Sequence, residues 1–213
     1  DKYLIMGELG LDGSVREVQG ALPFADLVTG LGISGCILPL RSALEATECN
    51  DLSIFGVETL ADVIRILEEQ EDCSDLLVWN TRLYRKLSRN AQRVRKPSGQ
   101  DVMDFSEIIG QEGAKRGVEI AAAGGHNLIM VGPPGSGKSS LAKAMAGILP
   151  PMTTEEAIVT SKIYSVAGMK SSQIGLIRTR PFRAPHYSAS LPAIIGGGAG
   201  ADIRPGGVTL AEN

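Results

Sequence analysis

The sequence predicts an α/β fold built in two units, and three observations carry that reading. Short apolar runs of strand length alternate with amphipathic segments of helix length along most of the 213 residues. A composition of 43% hydrophobic and only 4% aromatic residues suits an aliphatic α/β core. A charged stretch over residues 71–100 interrupts the alternation, which divides the chain into residues 1–70, a connector, and residues 101–213.

In the first unit, Lys2 to Leu9 and Ser14 to Val18 flank Leu11-Asp12-Gly13, and an Asp-Gly pair between apolar runs signals a hairpin. Pro23 can open a helix through Thr29, with Gly30 as its stop. Gly35 to Leu38 reads as a buried strand, Ser42 to Thr47 as a short helix and Leu52 to Val57 as a further strand. Thr59-Leu60-Ala61-Asp62 has the spacing of a capping box, with Asp in the usual Glu place, opening an amphipathic helix to about Leu67. The order is β-β-α-β-α-β-α.

Glu68, Glu69, Glu71, Asp72 and Asp75 then give way to Arg82, Arg85, Lys86, Arg89, Arg93, Arg95 and Lys96, with no acid between 80 and 96. Leu83, Leu87 and Val94 are too sparse for a core helix, and Lys96-Pro97-Ser98-Gly99-Gln100 is a break. The basic run suits three readings: a solvated linker, a partner for the acidic stretch, or a contact for DNA phosphates.

The second unit holds the chemistry. Gly132-Pro133-Pro134-Gly135-Ser136-Gly137-Lys138-Ser139 fits the phosphate-loop pattern G-x-x-x-x-G-K-[ST] at every defined position. The glycines let backbone N–H groups turn inward on phosphate oxygens. Lys138 places a compact charge on the β- and γ-phosphates, and the Ser139 hydroxyl is a ligand for Mg²⁺. Asn127 to Val131 reads as the strand before the loop, and Ser139 to Leu149 as the helix after it, an order that aims a helix N-terminus at an anion. A helix is expected over Ala114 to Ala123, stopped by Gly124-Gly125. Another starts at the capping box Thr153-Thr154-Glu155-Glu156 and runs to about Ile163, and Ile174 to Arg180 reads as a strand. Gly196-Gly197-Gly198-Ala199-Gly200 is expected to be a flexible loop without a phosphate cradle, and the chain closes at Val208 to Asn213, just after another strand-like run.

The bulk numbers exclude less than they bound. A net charge of −3 does not advertise nucleic-acid binding but leaves room for a local basic surface. Cys36, Cys49 and Cys73 lack a C-x-x-C spacing, so reduced thiols in a cytoplasmic protein are expected in place of a zinc site. No apolar run approaches the roughly 20 residues of a membrane span. The chain opens without Met directly in a strand-like run, and both ends read as cut from a longer protein.

The second unit resembles the magnesium-chelatase-like branch of AAA+ ATPases, and within it the bacterial ComM/YifB group. The resemblance lies in Asp104 to Glu112, in Ala121-Ala122-Ala123-Gly124-Gly125-His126-Asn127, in the phosphate loop and in Arg180-Pro181-Phe182-Arg183-Ala184-Pro185-His186. The first unit, through Gly7 to Arg16, resembles the Lon-protease-like module of ribosomal S5 domain-2 fold. Lon peptidases pair a Ser with a Lys soon after this hairpin; that position holds Phe24, so the module is expected to be non-proteolytic.

The resemblance implies a partial Lon-like module followed by a partial AAA+ P-loop domain. It implies ATP (or ADP) and Mg²⁺ at Ile109 and Gly110, which match the adenine-lining segment, and at Gly132, Pro133, Pro134, Gly135, Ser136, Gly137, Lys138, Ser139 and Ser140. Ser139 is the metal ligand and Lys138 the catalytic residue of that set. Arg183 and His186 fall in an inserted hairpin implicated in pore or DNA contact, where a structural role for His186 is equally open; His126 reads as a packed or capping residue. The family's metal-binding Asp and water-activating Glu are expected after residue 213, so the chain is expected to bind nucleotide weakly with negligible turnover. For the longer protein the resemblance implies a hexameric ring ATPase that remodels DNA by branch migration in natural transformation. A chelatase-like chaperone acting on proteins, and a regulatory nucleotide-binding module, are the alternatives.

Overall fold

The computed structural model describes residues 2–49, 52–68, 72–93, 103–170, 174–198 and 203–212. The expectations placed on Glu69, Glu71, on Val94 to Asp101 and on Ala199-Gly200 lie outside those residues.

The N-terminal unit is organised by a parallel sheet of β1 (Tyr3–Ile5), β4 (Gly35–Pro39) and β5 (Ser53–Val57), in the order β1-β4-β5. Every residue of β4 is buried because this central strand is covered on both faces. Alternation along the strands sends Cys36, Leu38 and Ile54 to one face and Ile37, Phe55 and Val57 to the other. The first face is packed by α1 (Ala21–Gly30) through Ala21, Ala25 and Val28, and by α2 (Leu40–Ala43) with the 3-10 turn Leu44–Ala46 that follows it. The second face takes Ile66 of α3 (Leu60–Glu68), where Tyr3 meets Phe55 edge-on with ring centroids 5.5 Å apart.

The expected first strand divides in two. Lys2 to Leu9 supplies β1 to the sheet and, after a break, β2 (Glu8–Leu9), which pairs antiparallel with β3 (Val15–Arg16). The loop between them closes where predicted. Gly13 takes φ +80°, and Asp12 Oδ1 accepts from Ser14 N (3.1 Å) and Ser14 Oγ (2.6 Å). Those two donors hold the exposed Asp12 carboxyl below the usual carboxylate range. At α3, Thr59 Oγ1 accepts from Asp62 N (3.3 Å) while Asp62 Oδ2 accepts from Thr59 N (2.9 Å), so Asp serves the capping box as Glu would.

Residues 72–93 pack on this unit. Val78 is fully buried in the first core, and α4 (Arg82–Arg93) lays Leu83, Tyr84 and Leu87 against it beside Trp79. Three apolar positions suffice for the helix because it is a surface helix with one face to cover.

The C-terminal half is helical. α5 (Glu112–Gly124), α6 (Lys138–Ile148), α7 (Thr154–Val166) and the short α8 (Leu191–Ile195) are its helices, and no strand of the sheet comes from it among the described residues. Asn127 to Val131 and Ile174 to Arg180 are irregular, and the final apolar run forms a 3-10 turn, Thr209–Ala211. A strand requires a hydrogen-bonding neighbour. The only parallel sheet among the described residues is complete within residues 3–57. Ile129 and Val131 consequently stand about nine-tenths exposed. The Gly196 loop closes on itself through an antiparallel bridge between Gly197 and Arg204.

Candidate nucleotide site

The loop of residues 132–137 enters α6 through Gly137, which holds φ +82°, with Gly135 at φ +77° two residues earlier. A Cβ added at either would meet nothing within 4 Å. Glycine is required there by backbone conformation, because other residues pay about 1 kcal/mol or more in the left-handed region. No side chain caps α6, so the N–H groups of its first turn, over Lys138, Ser139 and Ser140, are left to face an incoming acceptor. The helix dipole adds partial positive charge at the same place.

Lys138 is folded into the loop's concavity. Its ammonium donates to Gly132 O (2.8 Å), Pro133 O (2.7 Å) and Ser136 Oγ (3.2 Å), which uses all three donors. The cation therefore sits where the loop backbone converges. Ser139 is exposed one residue on.

Two neighbouring elements pack on α6. The 3-10 turn Phe105–Glu107 packs on α6 and is closed by a full capping box: Asp104 Oδ1 accepts from Ser106 N (2.8 Å), and Glu107 Oε1 from Asp104 N (3.4 Å). α5 packs alongside through small residues, with Val118, Ala121, Ala122, Leu141 and Ala144 buried. His126 ends α5 by donating its N–H to Ala121 O (2.9 Å), and its imidazole lies over Gly124, where any Cβ would collide with it.

Ile109 is almost wholly exposed and Gly110 takes φ +73°. Gln111, which the sequence did not single out, follows in the left-handed region at φ +58°, alone among the described non-glycine residues. Its amide Nε2 reaches toward Ser136 O at 3.5 Å. The Ile109-Gly110 segment is thus tied to the phosphate loop through the next residue. A non-glycine residue held in that region was the available signal, and it is visible only in the backbone.

The Arg-Pro-Phe-Arg-Ala-Pro-His string is irregular and anchored on α7. Arg180 donates to Pro150 O (2.7 Å) and Glu156 Oε2 (3.2 Å). Arg183 lies over the Tyr164 ring, 5.4 Å from its centroid, and donates to Tyr164 Oη (3.1 Å). His186 shares a 2.7 Å hydrogen bond with Ser188 Oγ and stacks at 4.2 Å on the exposed Tyr187. None of these contacts reaches the phosphate loop.

A buried polar network joins α7 to the N-terminal unit, and no sequence signal pointed to it. Ser165 donates to Glu45 Oε2 (2.5 Å), and Lys170 Nζ donates to Glu45 O (3.0 Å), with all three side chains inaccessible to solvent or nearly so. At the rim, Lys162 pairs with Asp26 at 2.7 Å. Desolvation raises the Glu45 carboxyl above its usual range, against the Ser165 hydrogen bond and the Lys170 charge. Desolvation also lowers Lys170, to about 8, despite Glu45 and Glu48. The partners are 120 and 125 residues apart in sequence, a separation that local patterns do not encode. Cys36, Cys49 and Cys73 are free thiols, and burial pushes Cys36 up to about 12, which leaves it a protonated core residue. Phe24 packs half-buried against the first core, so the position matched to the Lon lysine presents only an apolar side chain.

Two left-handed glycines, a lysine drawn into a backbone concavity and an uncapped helix start define a phosphate-loop protein. Residues 104–213 match the family model described as "Magnesium chelatase, subunit ChlI". The chain belongs to this magnesium-chelatase-like family, in its ComM/YifB group. It is 38% identical over 212 residues to competence protein ComM of Haemophilus influenzae, with all of this chain and 39% of that protein covered. It is 36% identical over 219 residues to YifB of Escherichia coli, covering all of this chain and 38% of that protein. An archaeal Lon protease of Halobacterium salinarum is 31% identical over 146 residues, 64% of this chain and 19% of its own length. The chain thus spans about two fifths of the length of its ComM and YifB relatives. No described helix is long and apolar enough to cross a membrane.

Proposed function

We propose that this chain carries the phosphate-gripping part of an ATPase that remodels DNA. The observation that supports it most is the loop geometry: Gly135 and Gly137 in the left-handed region deliver the chain to an uncapped α6 with Lys138 at the centre of the turn. In this reading the backbone N–H groups of residues 135–139 take the phosphates of ATP or ADP, with Lys138 on the β- and γ-oxygens. Ile109 and Gly110, tied to the loop by Gln111, border the base, and Ser140 adds an N–H from the first helical turn.

The donor set fits a magnesium nucleotide. Mg²⁺ accepts few protein ligands and takes the rest from phosphate oxygens and water, and the exposed Ser139 hydroxyl is one such ligand. When bound, the ion would supply positive charge that offsets the charge of the phosphates. The chain's own part is to bind and orient. The resemblance places the carboxylates that would complete hydrolysis after residue 213, so these residues alone are expected to turn over ATP negligibly. A steady-state ATPase rate of this chain that Lys138→Ala abolishes would contradict that.

DNA as the partner of the longer protein is supported by the likeness to a competence protein along the whole chain, Lon-like unit included. A ring of subunits, six by family expectation, in the cytoplasm completes the proposal. The alternative of a protein-remodelling chaperone is favoured by the family model, whose description names a chelatase subunit. ATPase of the longer protein with and without branched or single-stranded DNA separates them: at least several-fold stimulation is expected, and none with any DNA favours the chaperone.

A further inference from the structure

We propose that the exposed face of α4 is a binding site for a nucleic-acid backbone. Arg82, Arg85, Lys86 and Arg89 fall at i, i+3, i+4 and i+7, the spacing that places side chains on one face of a helix. All four are exposed, and together with Asn90 they line an open cavity of about 400 Å³. The opposite face is used up in packing, with Leu83, Tyr84 and Leu87 against the first core. The helix is therefore fixed on the body of the protein with its cations outward, and it has no apolar face left to enter a bilayer.

Among the described residues, Asp72 and Asp75 of the acidic stretch are engaged away from this face. Asp75 pairs with Arg65 at 3.0 Å, and Asp72 accepts from Ser74 N and Ser74 Oγ, both at 2.9 Å. Arg82, Arg85, Lys86 and Arg89 make no ion pair among the described residues, whereas Arg16, Arg41 and Arg116 elsewhere on the surface each have a carboxylate partner. Four unpaired cations in a row, in a chain of net charge −3, form a local site and not a general excess of positive charge. At 1.5 Å rise per residue the row spans about 10 Å, long enough to meet successive phosphates of one strand. Three of the four are arginines, whose planar forks match phosphate oxygens bidentately. With no aromatic residue on the exposed face to stack on bases, the contact reads backbone and not sequence.

This deepens the DNA reading and rests on it for the identity of the polyanion. The test is fluorescence anisotropy of a labelled 20-nucleotide dT strand and of a 20-base-pair duplex, without ATP, on the 213-residue chain. Arg82→Gln/Arg85→Gln/Arg89→Gln is compared with Arg16→Gln/Arg41→Gln/Arg116→Gln, which removes the same charge elsewhere, and helicity is checked by circular dichroism. The α4 triple is expected to lose at least about tenfold in affinity at low salt, with the slope of log K against log salt flattened by about 2 to 3. The control is expected to stay within about threefold. Should the α4 triple fail to fold, Arg85→Glu alone carries the same expectation in smaller measure. The proposal is overturned if the wild-type chain binds neither oligonucleotide, or if both triples weaken binding equally. Tighter binding to poly-glutamate or to phosphatidylserine vesicles than to DNA overturns it too, and names an acidic protein or a membrane instead. DNA-stimulated ATPase of the longer protein is the separate readout. If it is absent while the α4 triple still weakens binding, only the motor reading fails; if it is present and the triple binds normally, only this surface fails.

Discussion

The N-terminal unit and the phosphate-loop half are similar in sequence texture and differ in how far that texture becomes structure. Both contain strand-length apolar runs. In the first unit Cys36, Ile37, Leu38 and Ile54 are fully buried between two helical layers. In the second, Ile129 and Val131, in an equally strand-like run, are exposed. The features that succeed in both halves are local: capping boxes at Thr59 and Thr153, the helix stop at Gly125, the left-handed glycines. A cap closes over three residues and a helix bonds within itself, whereas a strand becomes a strand only against a neighbour.

The largest expected difference between the halves is in core truncation. Ile54→Ala removes a fully buried side chain from the first core and is expected to cost about 2–5 kcal/mol in urea unfolding. Ile129→Ala is expected to stay within about 0.5 kcal/mol. A comparable cost at Ile129 would mean that the run is buried in a sheet in solution.

Next in size is the buried junction between the halves. Lys170 releases its proton near pH 8 in the folded chain but only near 10.5 when unfolded. Between those values the unfolded chain binds the extra proton, so stability rises with pH, in total on the order of 3 kcal/mol. Glu45 has the opposite sign: its raised folded pKa contributes stability that is fully present below the ordinary carboxyl range and is lost as pH climbs through the folded value. Lys170→Met should abolish the alkaline rise and, by leaving the buried Glu45 carbonyl without its donor and the Glu45 carboxyl without its cation, lower stability at pH 7. An unchanged rise in that variant would place Lys170 in solvent and undo the docking of α7 on Glu45.

The smallest effect is where the two halves should agree. Thr59→Ala and Thr153→Ala each remove an N-cap acceptor and are expected to cost about 1 kcal/mol, the same within error, by thermal or urea unfolding. A cost at only one of them would show that even the caps depend on tertiary context.

The legibility of the sequence follows the same division. The Asp12-Gly13 hairpin, β4, β5 and the helix starts at Leu60 and Thr154 were readable because each rests on residues a few positions apart. The division of residues 2–9 between β1 and β2 was not, since β1 pairs with Gly35 to Ile37 some thirty residues on. α4 was missed as a packed helix because its apolar face is only three residues wide and its basic face dominates the composition. At the candidate site, Gly135, Gly137 and Lys138 were readable from the motif, whereas Gln111 was not, because its left-handed backbone leaves no mark in the sequence.

The claim on which the account rests is that residues 132–140 form a magnesium-nucleotide site without help from a strand. Titration calorimetry of ATP into the 213-residue chain, with and without Mg²⁺, tests it directly. One saturable site strengthened by Mg²⁺ is predicted, weakened at least tenfold by Lys138→Ala and severalfold by Ser139→Ala only when Mg²⁺ is present. Binding that ignores both substitutions, or no binding at millimolar ATP, would contradict it.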